Sequence, residues 1–283
     1  MRLEVTPPRF VLAGVMGWPI MHSRSPLLHN YWLNEHGLAG TYVPLAIRPD
    51  ALAAALRALP ALGFVGCNLT LPHKQQALSL VDEVDEVAQR IGAISCISVR
   101  ADGSLAGTNN DCFGFIHNLK QEHPGWRADA GPAVVLGAGG GARAVCYALM
   151  QEGAKEIRVV NRSYPRAQAL AAEWGEPLQA LPWEQRHDTL DGAAIAVNTT
   201  SQGMVGQPAL DIHLDALPKT ALVADIIYVP LATPFLVAAR RRGHATSNGL
   251  GMLLHQGRPA WKLWLGIEPV VSVALREWLE RSL

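Results

Sequence analysis

Short runs of apolar residues alternate with runs of helical composition through the first hundred residues. Three of the apolar runs have the composition of buried strands, namely Val11 to Met16, Thr41 to Ala46 and Val65 to Leu69. The stretch from Ala51 to Ala58 is rich in alanine and leucine, which favour helices. This alternation predicts βαβ units and therefore an α/β fold.

A turn closes this first series. The apolar segment Ile94 to Val99 is followed by Ala-Asp-Gly-Ser at positions 101–104, and a short apolar run then leads to Gly107. Two short apolar runs joined by turn residues predict a β-hairpin. We expect this hairpin to end the first α/β region.

A polar break that contains glycine and proline, at residues 125–132, precedes a second alternating series. Its apolar runs predict four strands, at Ala133–Leu136, Glu156–Val160, Ala193–Val197 and Ala221–Asp225. Runs of helical composition occupy Ala142–Gln151, Arg166–Trp174 and most of the chain from Gly249 onward. Both halves of the chain are therefore predicted to be α/β.

The size and charge of the chain narrow its class. Its 283 residues are close to twice a typical domain length, so two domains are expected. With 49% apolar and 17% charged residues, the composition excludes disorder as the main state. The 24 basic residues balance the 24 acidic ones, so the chain lacks the positive field that drives binding to nucleic acid or anionic membranes. The expected partner is a small molecule or another protein.

Cysteine spacing and hydropathy favour a soluble protein of a reducing compartment. The four cysteines form no C-x-x-C pair, which favours free thiols over a disulfide framework or a zinc site. The longest uncharged run, Gly192–Leu210, is too polar for a membrane helix. We expect a cytoplasmic monomer or homodimer that carries no metal.

A glycine-rich loop follows the predicted strand Ala133–Leu136. The sequence Gly-Ala-Gly-Gly-Gly-Ala places Gly137, Gly139 and Ala142 at the three positions of the G-x-G-x-x-G/A dinucleotide fingerprint. Such glycines let the backbone approach a pyrophosphate, which the N-terminus of the next helix binds. A flexible turn is the alternative, but the strand before the loop and the alanine-rich run after it favour dinucleotide binding.

The next predicted strand indicates which dinucleotide fits. A site for NAD carries an acidic residue about 20 positions after the glycines, whereas this chain has Asn161, Arg162 and Ser163, followed by Arg166. A guanidinium and a hydroxyl suit a 2′-phosphate, which a carboxylate would repel. The sequence predicts NADP; Arg162 as a solvated cation is the weaker alternative.

Two serines precede a predicted helix. Ser23 lies two positions before Ser25, which we expect to cap the helix, with Pro26 at its first position. A helix start with free hydroxyls and N–H groups can bind a carboxylate. Simple capping is an equally good explanation of Ser25, but capping does not require Ser23.

A lysine and an aspartate are candidates for proton transfer. Lys74 follows the strand that ends near Asn68 and Thr70, where polar side chains are well placed for a ligand, although an ordinary surface lysine is the default. His73 is assigned no role. Asp111 starts a predicted helix, and capping explains it fully unless it meets Lys74.

Taken in order, these segments resemble the shikimate dehydrogenase family. The motifs that carry the resemblance span nearly the whole chain, at Gly17–Ile20, His22–Asn30, Asn68–Lys74, Gly107–Gly114, Gly137–Ala142, Asn161–Ser163, Asn198–Met204, Asp225–Pro230, Thr233–Pro234 and Asn248–Gln256. Each motif is modest alone, but their order and spacing are specific.

The resemblance implies reversible NADPH-dependent reduction of 3-dehydroshikimate to shikimate. It also implies an N-terminal α/β substrate domain, residues 1–110, and a Rossmann-type domain, residues 111–248, with a cleft between them. The helices of residues 249–283 would pack back onto the first domain.

The resemblance further implies a role for each matching residue. Lys74 would donate and accept the proton, with Asp111 beside it. Substrate would contact Ser23, Ser25, Asn68, Thr70, Asn109, Tyr228 and Gln256. NADP would contact Gly137, Gly139, Gly140, Gly141, Asn161, Arg162, Ser163, Arg166, Thr199, Gly249 and Met252.

The chain departs from the family pattern at four positions. Ser95 and Cys96 stand where the family has asparagine and threonine, and Asn110 and Cys112 replace threonine and glycine around the aspartate. Such changes bear on substrate identity more than on reaction type. A paralogue that acts on quinate or an aminated shikimate, and a ligand-binding protein that has lost turnover, are therefore the alternatives.

Overall fold

The computed structural model describes residues 10–283, and the chain divides into two compact units. The first unit runs up to Asn110 and resumes over Gly257–Ser282, while the second is Asp111–Gln256. Residues 1–9 of the predicted first domain lie outside the described residues. In the part of the chain that is described, no helix has the length and apolar character needed to cross a membrane.

The first unit contains six strands and four complete α-helices of the described chain. The strands are β1 (Val11–Gly17), β2 (Gly40–Ala46), β3 (Phe64–Leu69), β4 (Glu83–Val84), β5 (Cys96–Val99) and β6 (Leu105–Thr108). The helices are α1 (Ser25–Glu35), α2 (Leu52–Ala58) and α3 (Glu86–Ile91), together with the C-terminal helix Val273–Glu280.

The sheet of this unit has the order β2-β1-β3-β5-β6-β4. Strands β1, β2 and β3 are parallel, whereas β5 is antiparallel to both β3 and β6. The pair β5 and β6 is the hairpin that the turn sequence predicts. Its first strand begins at Cys96 rather than at Ile94, and the Ile94 N–H donates to Lys74 O, outside the sheet.

The second unit contains the helices α4 (Asp111–Glu122), α5 (Gly140–Gln151), α6 (Tyr164–Trp174) and α7 (Pro234–Arg241). Its strands are β7 (Ala133–Leu136), β8 (Ile157–Asn161), β9 (Leu178–Pro182), β10 (Ile195–Asn198), β11 (Leu222–Asp225) and β12 (Thr246–Ser247). Helix α8 (Gly249–Leu265) begins in this unit, and its residues from Gly257 onward belong to the first.

The second sheet is entirely parallel, with the order β9-β8-β7-β10-β11-β12. In order along the chain these strands are 3-2-1-4-5-6, the doubly wound order of dinucleotide-binding domains. The strand order reverses between β7 and β10, which is where such sheets bind ligands. The predicted α/β class with a Rossmann-type domain is confirmed.

Tryptophans of α8 pack into the first unit. Trp261 Nε1 donates to His29 Nδ1 at 2.8 Å, and Trp264 Nε1 donates to the carbonyl of Ile97 at 3.0 Å. Gly66 of β3 leaves the space that the Trp264 indole occupies, since a Cβ there would overlap its ring. The C-terminal helix, α9 (Val273–Glu280), packs against α1 through the rings of Trp278 and Tyr31.

Candidate active site

The two serines lie at the start of α1. Helix α1 begins at Ser25 and its cap residue is Arg24, so the prediction that Ser25 caps the helix is wrong. The cap makes no side-chain hydrogen bond to the first turn. Instead, the Ser25 N–H donates to Ser23 Oγ at 3.3 Å, which brings both hydroxyls to the helix N-terminus. Hydroxyls at an uncapped N-terminus are suited to an anionic ligand.

Tyr42, which the sequence analysis missed, joins two of the predicted substrate residues. Its hydroxyl donates to Asn68 Oδ1 at 2.9 Å and forms a hydrogen bond with the Ser25 side chain. The ring is buried, and burial raises the pKa of Tyr42 well above its usual value, so the phenol stays neutral. The sequence carries no signal for this role, because a tyrosine in a buried strand is common and its partners, Ser25 and Asn68, lie on two other elements.

A buried histidine supports the Tyr42 ring. The His29 and Tyr42 rings stack with centroids 4.1 Å apart and an interplanar angle of 4°. Burial lowers the pKa of His29 to about 3, so the imidazole is neutral and its Nδ1 accepts the hydrogen bond from Trp261. The stacking holds the Tyr42 ring in place, and the hydrogen bond from its hydroxyl then orients the Asn68 amide.

The end of β3 holds the remaining predicted residues of the first unit. Asn68 Nδ2 donates to the carbonyl of Ser95 at 3.2 Å, so the orientation of its amide is set on both sides. The Thr70 N–H donates to Met16 O at 3.0 Å. The half-buried Lys74 is anchored by its backbone carbonyl, which accepts from Ile94 N at 2.8 Å.

His73 has a structural role, in keeping with the absence of any role assigned to it. Its buried ring donates from Nε2 to the carbonyl of Ile47 at 2.8 Å, and burial lowers its pKa. The neighbouring Lys74 is thus held on a short segment that both the backbone and an adjacent side chain fix in place.

Two consecutive asparagines end the first unit. Asn109 Nδ2 donates to the carbonyl of Ala93 at 2.9 Å, and the Asn110 N–H donates to Ser95 Oγ at 2.8 Å. Both asparagines are buried, at 4% exposure. The hydroxyl of Ser95, one of the departures from the family pattern, therefore serves to bind the backbone at the chain's exit from the first unit.

The glycine loop of the second unit leaves no room for a side chain at its first glycine. Gly137 adopts φ +121°, and a Cβ there would overlap the Thr199 hydroxyl, which itself donates to Leu136 O at 2.7 Å. Gly139 caps α5, and no described atom would lie within 4 Å of a Cβ on it. The N–H groups of the first turn of α5, which begins at Gly140, have the arrangement that binds phosphate.

Cationic and polar residues follow β8. Asn161 Nδ2 donates to the carbonyl of Ser163 at 2.8 Å, and the Arg166 N–H also donates to that residue, at 3.0 Å. The Arg162 and Arg166 side chains are exposed and make no ion pair with residues 10–283. The end of β8 therefore presents two guanidinium groups in a compact turn.

A buried polar network lies at the ends of β10 and β11, formed by residues of the family motifs to which the sequence analysis assigned no role. The carboxylate of Asp225 accepts from Thr233 Oγ1 at 2.7 Å, from Ile227 N at 3.0 Å and from Asn198 Nδ2 at 3.1 Å. Asn198 Oδ1 in turn accepts from Thr200 N at 3.0 Å. The network fixes the loops after both strands, at the edge of the sheet where a dinucleotide binds.

We expect the contribution of Asp225 to the free energy of unfolding to fall as the pH rises. Burial raises the pKa of this carboxyl from 3.8 to about 6, so folding favours its neutral form. The contribution is fully present below about pH 4 and is lost by roughly 3 kcal/mol as the pH passes about 6. Denaturant unfolding of the wild type and Asp225→Asn across this range measures it. A stability difference that does not change with pH would contradict the expectation.

The start of α8 is packed closely against the loop after β11. The Gly249 N–H donates to Ile227 O at 2.9 Å, and a Cβ on this glycine would overlap the carbonyl of Ile226. Met252 is 8% exposed and belongs to the hydrophobic core of the second unit. A Cβ on Gly114 would lie 2.9 Å from Cβ of Gln256, so α4 and α8 approach closely there.

Asp111 and Tyr228 complete the predicted set. Asp111 is the first residue of α4 and is 2% exposed, and Tyr228 is half-buried after β11. Both belong to the second unit together with Gln256, whereas Ser23, Ser25, Asn68, Thr70, Lys74 and Asn109 belong to the first.

A further group of possible metal ligands lies in the second unit. The ligand atoms of His187, Asp211 and His213 lie within 4.8 Å of one another. However, Asp211 Oδ2 is 2.5 Å from Nη2 of Arg186, and His187 Nδ1 accepts from the backbone N–H of His213 at 3.0 Å. Because the guanidinium already balances the carboxylate, we interpret this group as a surface ion-pair cluster.

Two family models match the chain. Residues 15–97 match the shikimate dehydrogenase substrate binding domain, and residues 120–235 match the shikimate / quinate 5-dehydrogenase model. The shikimate dehydrogenase (NADP(+)) of Rhodospirillum rubrum is 55% identical over 269 residues, which cover 94% of this chain and 95% of that protein.

Solved structures are similar over the same length. The Thermus thermophilus shikimate 5-dehydrogenase in complex with NADP(H) and shikimate has a TM-score of 0.87 and 38% identity, covering 96% of this chain and 100% of that one. The Corynebacterium glutamicum quinate dehydrogenase in complex with NAD has a TM-score of 0.88 and 33% identity, covering 96% of this chain and 99% of that one.

Proposed function

Because the chain belongs to the shikimate dehydrogenase family, we propose that it catalyses the reversible, NADP-dependent reduction of 3-dehydroshikimate to shikimate. The observation that carries the proposal is 55% identity to a shikimate dehydrogenase (NADP(+)) over 94% of the chain. The ordered polar residues of the first unit and the glycine loop of the second support it.

The first unit supplies groups for a polyhydroxylated carboxylate. Ser23 and Ser25 bind the carboxylate with two hydroxyls at a helix N-terminus, a role that Tyr228 shares. Asn68 and Thr70 bind ring hydroxyls, as do Asn109 and Gln256. Tyr42 and His29 position these residues. Tyr42 hydrogen-bonds to Ser25 and Asn68, and both rings are neutral, so they add no charge to the site.

NADP fits the residues of the second unit. A Cβ on Gly137 would overlap the Thr199 hydroxyl, whereas one on Gly139 would contact no described atom. The N-terminus of α5, which begins after Gly139, would hold the pyrophosphate. Asn161, Arg162, Ser163 and Arg166 hold the adenosine 2′-phosphate. Thr199 donates to Leu136 O at the glycine loop, and Gly249 and Met252 would contact the nicotinamide. When bound, the cofactor supplies the hydride.

Lys74 holds and moves the proton. As negative charge develops on the carbonyl oxygen, an ammonium group directed at that oxygen stabilises the charge and then donates its proton. The neutral amine accepts the proton back in the reverse direction. We assign Asp111 the role of orienting the lysine.

Quinate dehydrogenase activity is the second candidate. It is favoured by Ser95, which replaces the amide of the family pattern, and by the similarity to the Corynebacterium glutamicum quinate dehydrogenase. The protein acts in the cytoplasm on a small carboxylate, as a monomer or homodimer, without nucleic acid or membrane partners. A protein that binds these ligands without turnover is the remaining alternative, which Lys74 and Asp111 disfavour.

One assay separates these candidates. Purified protein is incubated with NADP or NAD and with shikimate, quinate or aminoshikimate, and the reduced nicotinamide is followed by its absorbance. We expect the highest kcat/KM with shikimate and NADP. A higher value with quinate would establish the second candidate, and binding without turnover of any of the three would contradict an enzymatic function.

A further inference from the structure

We propose that Asp225 is a positioning residue, whose carboxylate fixes the backbone before Tyr228 and thereby places the tyrosine hydroxyl for the substrate carboxylate. The proposal rests on the proposed function, which assigns Tyr228 to that carboxylate. It gives a part in the reaction to a residue that the sequence analysis left without one. Its starting point is the set of hydrogen-bond partners around this buried acidic group at the end of β11.

Asp225 is a costly residue for its position. It ends a buried strand, is 1% exposed and makes no ion pair with residues 10–283. Its hydrogen-bond partners are neutral donors, namely a hydroxyl, a backbone N–H and a side-chain amide. A buried carboxylate without a cation is less stable than a neutral residue, and burial accordingly raises its pKa to about 6. Stability alone therefore does not account for a carboxylate here.

The hydrogen bonds of Asp225 close a short loop around Tyr228. The Ile227 N–H donates to Oδ1 at 3.0 Å, and the Thr233 hydroxyl donates to Oδ2 at 2.7 Å. These donors follow the aspartate in the chain by two and eight positions. Because Tyr228 lies between them, a change in the carboxylate changes the course of the backbone that carries the tyrosine.

The peptide group that joins Ile227 to Tyr228 is held a second time. Its carbonyl, that of Ile227, accepts from the Gly249 N–H at 2.9 Å. The packing is close at this point, since a Cβ on Gly249 would overlap the Ile226 carbonyl. Ile227 is thus engaged through both its N–H and its carbonyl, which leaves little freedom in the backbone before Tyr228. Gly249 is proposed to contact the nicotinamide, so this peptide group links the residues proposed for substrate and for cofactor.

Only a carboxylate has enough acceptors for the donors around it. Asn198 Nδ2 lies 3.2 Å from Oδ1 and 3.1 Å from Oδ2, so each oxygen serves this amide as well as one other donor. An asparagine at position 225 would keep the shape but offer a single acceptor oxygen, and its own N–H groups would face these donors. Asp225→Asn therefore removes hydrogen bonds with almost no change in volume.

We expect Asp225→Asn to raise KM for shikimate about 10-fold. The assay is run at about pH 8, where the wild-type carboxylate is ionised because its pKa is about 6. Adenosine 2′,5′-bisphosphate, a fragment of NADP that has the 2′-phosphate but no nicotinamide, should keep its Kd within about twofold. The reason is that its proposed contacts, Asn161–Ser163 and Arg166, lie at and after the end of β8, on a different strand.

A double-mutant cycle shows whether Asp225 acts through the tyrosine. Tyr228→Phe removes the hydroxyl and should by itself raise KM for shikimate about 10-fold. In the Tyr228→Phe background, Asp225→Asn should raise KM less than about twofold further, because the contact that it misplaces is already absent. Two effects that multiply in full would overturn the proposal.

Two sets of variants separate positioning from a loss of stability. Thr233→Val removes a donor to the carboxylate and should raise KM as Asp225→Asn does, whereas Thr233→Ser keeps a hydroxyl and should stay within about twofold of the wild type. Leu178→Ala opens a cavity in the core at the start of β9, the opposite edge of the sheet, and should lower the melting temperature without raising KM. An equal rise in KM with Leu178→Ala would contradict the proposal.

Fluorine NMR tests the position of Tyr228 without turnover. The chain has five tyrosines, and with 3-fluorotyrosine in all of them the resonance that Tyr228→Phe lacks identifies Tyr228. Asp225→Asn should shift this resonance but not those of Tyr31 and Tyr42, which belong to the first unit. An unchanged Tyr228 resonance would overturn the proposal even if KM rises. If the wild type does not oxidise shikimate, the proposed function fails instead, and the same spectra still decide whether Asp225 positions Tyr228.

Discussion

Replacing Lys74 with alanine is expected to lower kcat for shikimate oxidation about 1,000-fold, the largest effect of any single substitution considered. The reason is that the ammonium group both stabilises the developing charge and carries the proton. The Kd of NADP, measured by fluorescence titration, should not change, because Lys74 belongs to the first unit and the cofactor residues to the second. The backbone at position 74 should keep its place, since its carbonyl accepts from Ile94 N in any variant.

Two further lysine variants make the Lys74 experiment specific. Lys74→Arg keeps a positive charge, but a guanidinium does not release its proton near neutral pH, so it should remain far less active than the wild type. Lys155→Ala removes an exposed lysine of the second unit and should have wild-type kcat. Turnover by Lys74→Ala within threefold of the wild type would remove the lysine from the mechanism.

Replacing Arg162 with alanine is expected to weaken NADP binding roughly 10- to 100-fold while NAD binding changes little. The guanidinium at the end of β8 is exposed and makes no ion pair with the described residues, so it is available for a 2′-phosphate. A charged hydrogen bond to that phosphate is absent with NAD, and the ratio of the two Kd values therefore isolates it. Calorimetric titration with each cofactor gives both values.

Arg241→Ala is the matched control for Arg162. Arg241 is an exposed cation at the end of α7, and this helix runs from the carboxyl edge of the sheet back toward the opposite edge. Its removal changes the net charge by the same amount but should not affect either Kd. Equal losses of NADP and NAD affinity in Arg162→Ala would show that Arg162 does not recognise the 2′-phosphate.

Local sequence was enough for most of the fold. The runs at Ala133–Leu136 and Ala221–Asp225 coincide closely with β7 and β11, because a strand buried on both faces is continuously apolar. The glycine loop could also be identified from the sequence, since the dinucleotide fingerprint consists of residues that are close together in the chain. The edge strands β9 and β12 were missed: β9 carries polar and proline residues, and β12 has only two residues.

Local sequence was misleading where a neighbouring segment decides the geometry. Ser25 before Pro26 has the composition of a helix cap, yet the helix begins at Ser25 and its side chain bonds to Tyr42, which is 17 positions away in the sequence. No local pattern contains that partner. The same reason explains why Tyr42 and His29 were missed.

The sequence by itself determined the α/β class, the dinucleotide loop and the family, because each depends on short segments that can be identified from their composition and their order along the chain. The tertiary structure alone decided which polar atoms are satisfied. The partners of Asp225 and of Tyr42 lie on strands and loops that are far apart in the chain. Burial makes these contacts necessary, because a polar group removed from water must find its hydrogen bonds in the protein or in a ligand.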